Sequence, residues 1–561
     1  PDGSVEKIEV GRREFYTEES GDWEINTFAF PALEAGSIVE YKYKMIYGSP
    51  TYLPDWEFQE SSPVVHSEYR VMVPDFLTYN VYMYGYEPFE NTRNTSELEK
   101  KMLRYADAVK GHSRNTIYHL VLKDAPAIRD EPYISSLANY RNKVKFNLSG
   151  YTDGYGRHQG YLNTWEEIAE ELDDNRYFGV ELNSKRKINS LVEEITDGIE
   201  SDYDKAVAIY NYVASSIQWD GKFRVFTTER LTDVLETRTG TSADKSLLLT
   251  NMLRSADLDA NPILISTRDN GVVDWSYARL EPFNHVISLL TIGDQSYLLD
   301  PVDNIIPFGV LYPSSINKSG LLLRDDKADI VEIGQQIDSS THTVALIRVG
   351  ENGEISSELN TKYSGYEAIV HRRLAEMEGM DSYIEQTMLE HLPDSRLESS
   401  NLVALEDPNE PFAVELEFEN DRYCAVAGDM IYLNPFLVER VTENPFVNPE
   451  RSFPVEFNFK STKNYLTTIY IPEGYEVVDI PESSLHRFSE NMSFRLVAQV
   501  VENSIQLMMT MVNGESEIPS ENYDDLRRYY TALAESYNQQ IVLKRAAETG
   551  QSSPVSTESG D

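Results

Sequence analysis

The chain has 561 residues, 50 basic and 93 acidic side chains, a formal net charge of −43 and 41% hydrophobic residues. That length predicts two to four domains with real apolar cores. The charge argues against nucleic acid, whose phosphates it would repel, and against docking on anionic lipid.

Cys424 is the single cysteine, so no intrachain disulfide can form. Such scarcity suits an exported bacterial protein. No run approaches ~18 uninterrupted apolar residues, so no transmembrane segment is expected. The chain opens at Pro1-Asp2-Gly3 without an initiator methionine or signal peptide, which reads as a trimmed or a processed chain. The true N-terminus, any lipid anchor on it and the oligomeric state stay open.

In chain order, residues 1–155 read as an N-terminal β-sandwich domain. Val5, Ile8 and Val10, then Phe28-Ala29-Phe30, residues 38–44 and residues 69–73 alternate as strands. Turns fall at Gly36-Ser37 and Pro50-Thr51. The Gly/Tyr-rich stretch 149–156 reads as a loop or boundary.

Residues 156–330 follow as an α+β core. Ala206, Ile209, Tyr210, Val213 and Ile217 recur at helical spacing behind a cap at Ser201-Asp202. A second helix runs through the apolar stretch 247–253, and strands are expected at 262–267, 285–290 and 296–300, with Gly293-Asp294 turning between the last two. Residues 331–548 return to strand patterning, with examples at 344–349, 416–418, 457–459 and 467–472, a helix at 365–379 and a Tyr-rich helix near 521–538. The Ser/Pro/Glu-rich tail 549–561 reads as disordered. The 36 tyrosines are read as strand and β-surface residues rather than as a glycan platform.

Three residues stand out for chemistry. Ser242 lies in Gly240-Thr241-Ser242-Ala243-Asp244-Lys245, at the start of the second helix. Backbone N–H groups there favour negative charge, which would activate a cysteine but does little for a hydroxyl. A serine needs an aligned base. His285 opens a strand and Asp300 ends the next, just before Pro301, with Asp303 close by. The plainer alternatives are a helix cap, from Thr241 with Asp244 or Ser242 with Lys245, a structural histidine and a turn-forming aspartate. The other histidines show no metal-ligand spacing, and there is no phosphate loop, dinucleotide fingerprint or EF-hand. No cofactor and no metal are expected.

The order Ser242-x-Asp244-Lys245, Asn284-His285, Asp300-Pro301 resembles the papain-like transglutaminase superfamily, whose pattern runs Gly-x-Cys-x-Asp-Lys, then His, then Asp-Pro. Tyr203-Asp204-Lys205-Ala206 and Ala260-Asn261-Pro262-Ile263 extend the likeness over about 160–325. The flanks resemble the uncharacterised β-domains that often accompany this core in large bacterial envelope proteins. The resemblance implies a Ser242-His285-Asp300 set at the positions of a cysteine triad whose sulfur is missing. It also implies export to the periplasm or outer membrane of Gram-negative bacteria.

The function expected from this combination is a non-catalytic scaffold that binds an envelope protein or an extended peptide. The alternative is a peptidase or acyltransferase in which Ser242 attacks an amide carbonyl. A glycan-binding accessory role is a third, weaker reading.

Overall fold

The computed structural model describes residues 15–20, 23–30, 33, 35–43, 53–97, 114–153, 155–160, 164–184, 188–324 and 327–546. The run at Val5, Ile8 and Val10, the turn at Pro50-Thr51 and the tail 549–561 lie outside the described residues.

The chain divides into two units, residues 1–53 and 54–561. Within the first, Phe15–Ser20 and Trp23–Phe28 form an antiparallel hairpin. The strand expected over 38–44 does not form across its described part. Ile38 is 95% exposed, and Val39, Tyr41 and Tyr43 are exposed too. Alternation makes a strand only where a partner pairs its backbone and a core covers one face, and neither reaches these residues.

The second unit begins with a β-sandwich. One sheet orders Trp56–Glu57, Lys143–Thr152 and Leu77–Tyr84, and the other orders Val64–Pro74, Arg114–Ala125 and Glu90–Glu97. Aromatic rings bind the two sheets: Tyr69 of one packs on Trp56 at 5.2 Å and on Phe146 at 5.9 Å in the other. Residues 149–152 of the Gly/Tyr-rich stretch belong to this sheet, and residues 153, 155 and 156 make the loop that follows. Tyr151 and Thr152 pair with Gln159 and His158. Asp153 closes the turn by accepting the N–H groups of Tyr155 and Arg157.

The core places helices beside a five-stranded antiparallel sheet. Helix α1, Asp202–Ser216, is capped by Ser201, whose side chain accepts the Asp204 N–H. Helix α2, Ser242–Ser255, is buried from Ser242 through Leu253. The strands β1 Asp259–Ile265, β2 His285–Ile292, β3 Gln295–Leu299, β4 Ser319–Arg324 and β5 Lys327–Glu332 take the order β3-β2-β1-β4-β5. Val286 and Leu290 of β2 share one apolar cluster with Leu248, Leu249 and Met252 of α2, while Ile287 joins a second cluster with Ile263, Val302 and Tyr366. Period-2 alternation thus serves two cores. Thr250 Oγ1 and Ser288 Oγ, 2.5 Å apart, stitch helix to sheet.

The C-terminal region is built on an eight-stranded sheet whose centre pairs Ser340–Val349 in parallel with Ser461–Tyr470. Helix α3, Tyr366–Glu378, and helix α4, Tyr523–Tyr537, contribute Ala368, Ala375, Tyr529 and Leu533 to its core. The strand expected at 457–459 is shorter and earlier, Val455–Glu456. Phe457 packs into the C-terminal core while Phe459 packs on the core-domain side, against Tyr366 at 5.4 Å. A straight strand would send both rings to one face, so the chain bends there. The fold is α+β and multidomain. No helix among the described residues is long and apolar enough to cross a membrane.

Candidate active site

The start of α2 is fixed before any chemistry is considered. Thr241 is the N-cap: its Oγ1 accepts the Asp244 N–H at 3.3 Å and the Asp244 carboxylate accepts the Thr241 N–H at 2.8 Å. This is a reciprocal capping box. The Asp244 carboxylate also accepts the N–H of Thr228 at 2.9 Å and its hydroxyl at 2.8 Å. Asp244 therefore pins the extended segment 221–228 to the helix start. Gly240 is required there because a Cβ would lie 2.8 Å from the Asp244 Cβ.

Ser242 is the first helical residue, not the cap, and is fully buried. Its N–H donates to the Lys222 carbonyl at 3.0 Å. Its Oγ accepts the Arg224 N–H at 2.9 Å and donates to the Arg224 carbonyl at 3.4 Å. Both polar groups of Ser242 are thus held by the backbone of residues 222–224. No hydrogen bond joins Ser242 to His285.

His285 and Asp300 are brought together. His285 Nε2 lies 3.2 Å from each Asp300 carboxylate oxygen, and both residues are fully buried. Ser315 Oγ donates to Asp300 Oδ2 at 2.8 Å. Tyr210 of α1 donates to the Asp300 carbonyl at 3.1 Å and the Ile306 carbonyl at 3.0 Å, fixing the turn after β3. Burial, then Asp300 and Asp303, push the Tyr210 phenol far up, so it stays a donor. The other His285 nitrogen, Nδ1, is buried without a partner. The Phe223 ring packs 4.8 Å from the imidazole. Segment 221–228 therefore touches both halves of the set, through Phe223 and Arg224.

Lys245 is buried and donates to the carbonyls of Ala214 and Ile217 at the end of α1. It serves as a C-terminal cap for that helix. Burial pushes its ammonium down to about 8, with Asp303 and Asp300 pulling the other way. Asp303 pairs with Arg373 of α3 at 3.1 Å, a link between the core turn and the C-terminal region.

A cavity of about 390 Å³ lies against this arrangement, lined by residues 223–226 on one side and by Leu280, Glu281, Phe283 and Asn284 on the other. Its wall is mainly apolar, from Phe223, Phe226, Leu280 and Phe283. Cys424 is remote in sequence and buried, with its thiol pushed up to about 12 by burial. Among the described residues no three His, Cys, Asp or Glu side chains are gathered as a metal would require.

Sequence reasoning found Ser242, His285 and Asp300 but not Arg224, Thr228 or Ser315. Tyr210 was visible only as an apolar-period residue. A buried phenol needs a hydrogen-bond partner, and that requirement is the signal for its role. Segment 221–228 has no helix or strand period, and Gly221, at a φ of 82°, is its one local marker.

Residues 189–286 match the model of the transglutaminase-like superfamily. Residues 2–109 and 429–543 match two domains of unknown function, DUF3857 and DUF3858. A crystal structure from Parabacteroides distasonis, described as a "putative protease", is similar over 88% of this chain and 76% of that one, with a TM-score of 0.51 and 12% identity. At that identity the likeness concerns the fold alone. A structure from Cytophaga hutchinsonii, described as a "putative cysteine protease", covers 44% of this chain and 74% of its own at 14% identity, with a TM-score of 0.18, too low to support any inference. No curated protein matches. The chain is a transglutaminase-like core flanked by a DUF3857 and a DUF3858 domain.

Proposed function

We infer that this protein is a non-catalytic member of the transglutaminase-like group, acting in the bacterial envelope as a binding or scaffold component. The observation that carries this reading is the state of Ser242. Its hydroxyl and its N–H are both hydrogen-bonded to residues 222–224. An acyl-transfer site needs the hydroxyl on a base and an N–H free for the oxyanion. Here the helix start that would stabilise a thiolate carries a hydroxyl, which gains little from it.

The cavity beside residues 223–226 can hold an apolar segment of a partner without cutting it. The flanking β-domains offer strand edges for a second chain. Periplasmic or outer-membrane placement belongs to the same reading, supported by the scarcity of cysteine and the flanking domains. The competing reading, a peptidase or acyltransferase using Ser242, His285 and Asp300, keeps the buried His285–Asp300 pair as its support.

Two measurements test the proposal. Purified protein assayed on peptide amides and on amine-acceptor substrates should show no turnover above buffer, and Ser242→Ala should not change that. Fractionation of cells carrying the tagged full chain should place it in the envelope, in complex with another protein. Turnover near one per second, the range of ordinary enzymes, or recovery only as a free cytoplasmic monomer, would overturn it.

A further inference from the structure

A cavity larger than the one beside residues 223–226 lies away from Ser242. It has a volume of about 900 Å³ and lies where the core meets the C-terminal region, with Arg268, Lys318, Phe457 and Phe459 among its walls. Neither Ser242, His285 nor Asp300 lines it. A second cavity of about 510 Å³ shares Lys318, Glu456 and Glu517 with the first, so the two form one groove.

Arg268 is the unusual group in that groove. Its backbone N–H is held by the Ser314 carbonyl at 2.8 Å. Its half-buried guanidinium makes one side-chain hydrogen bond, from Nη2 to the Glu456 carbonyl at 3.4 Å. The acids around it are committed elsewhere. The Glu456 carboxylate accepts the N–H and hydroxyl of Ser135 at 3.0 and 2.6 Å. Glu517 pairs with Lys318 at 3.1 Å. Burial weighs against the charge on Arg268, and the fields of Glu456 and Glu517 only partly offset it. A guanidinium carries five N–H donors in a planar fork, and a half-buried one without a carboxylate lacks its usual partner.

The chemistry of the wall narrows the ligand. The larger cavity is lined by three cations, Arg268, Lys318 and Lys460, and four acids, Glu332, Asp338, Glu456 and Glu517. A multiply charged phosphate would be repelled there, whereas one carboxylate suits one unpaired guanidinium bidentately. The aromatic residues of the larger cavity are Phe457 and Phe459, which lack the polar tips that sugar platforms use, whereas Tyr84, Tyr86, Tyr140 and Tyr277 line the second cavity.

We propose that the larger cavity of this groove binds a peptide through a carboxylate, with Arg268 as the fork that receives it and the partly exposed Phe459 as the seat for an apolar side chain. The site is separate from Ser242 and stands whether or not Ser242 turns over substrate.

The test uses the full chain and fluorescence anisotropy. The probes are dye-labelled Gly-Gly-Phe-Leu with a free C-terminal carboxylate and the same peptide as its amide. The acid should bind at least about tenfold more tightly than the amide, the worth of one charge-assisted fork. Arg268→Gln should erase that preference, and Arg268→Lys, which keeps charge but loses the fork, should retain part of it. Should Arg268→Gln fail to fold, the acid-to-amide ratio of the wild-type protein decides alone. Equal binding of acid and amide, an unchanged ratio in folded Arg268→Gln, or no binding of the acid at millimolar peptide would each overturn the proposal. Displacement of the acid peptide by digalacturonate at lower concentration than by unlabelled peptide would also overturn it, in favour of a sugar acid.

Discussion

Two buried histidines set the core and the C-terminal region apart. His371 of α3 sits in a buried polar cluster. Its Nδ1 lies 2.9 Å from the Tyr383 hydroxyl, its Nε2 lies 3.7 Å from Glu439, and its ring stacks on Tyr363 at 3.7 Å. Lys463 in turn holds Glu439 at 2.9 Å. Both ring nitrogens of His371 have a polar neighbour, although Glu439 Oε1 stands beyond hydrogen-bond reach of Nε2 and is buried without a hydrogen-bond partner. His285 is as deeply buried, with Asp300 on one nitrogen, yet its other nitrogen has no partner. Leaving a buried polar atom unmade costs roughly 1–3 kcal/mol. Around His371 a protein group faces each ring nitrogen. A site laid out for proton transfer leaves one nitrogen for the group that donates, and the group at that sequence position, Ser242, bonds to Arg224 instead.

The contrast can be broken most severely at Asp244. Asp244→Ala removes acceptors for Thr241 and Thr228 and frees segment 221–228 from the helix start. A loss of about 3–5 kcal/mol is expected, the range for breaking a buried charged network. Urea denaturation of the variant checks it, and Asp244→Asn should recover part of the loss.

The pH dependence of the His371 cluster comes next. Burial, opposed by Glu439, pushes the His371 imidazolium from its ordinary 6.5 down to about 4. The unfolded chain takes up that proton near 6.5 and the folded chain only near 4. The contribution is therefore fully present above 6.5 and is lost as pH falls through that window, by about 3 kcal/mol. The urea midpoint should fall further between pH 7 and pH 4 in wild type than in His371→Gln. An equal fall in the two would show that His371 does not titrate as a buried neutral group.

Smaller effects sharpen the comparison. Ser242→Ala strands the Arg224 N–H and should destabilise by about 1–2 kcal/mol, read as a lower thermal midpoint, with no change in partner binding. Arg373→Ala removes the ion pair to Asp303, in which Arg373 is one-third exposed. It should lower stability by less than about 1 kcal/mol. A larger loss would show that this link holds the core turn in place.

The site was legible where chemistry coincides with regular structure. Thr241 with Asp244 announces a helix start, His285 opens a strand of clear alternation, and Asp300 precedes a proline. What was illegible depends on contacts between distant irregular segments. Residues 222–224 have no periodicity, so nothing in the chain shows that their carbonyls and N–H groups meet Ser242. Arg268 reads as the ordinary end of a strand until the C-terminal region closes over it. Residues 38–43 show the opposite failure: good alternation, but the described side chains of Ile38, Val39, Tyr41 and Tyr43 are exposed. Residues 457–459 fail because the two phenylalanines serve different cores.

The central claim is that Ser242 is not an activated nucleophile. Treating the folded protein with a fluorophosphonate, which reacts with activated serine hydroxyls, and weighing the intact chain tests this directly. The account predicts no added mass in wild type, as in Ser242→Ala. A single stoichiometric adduct on wild type, mapped to Ser242 and lost in Ser242→Ala, would contradict it.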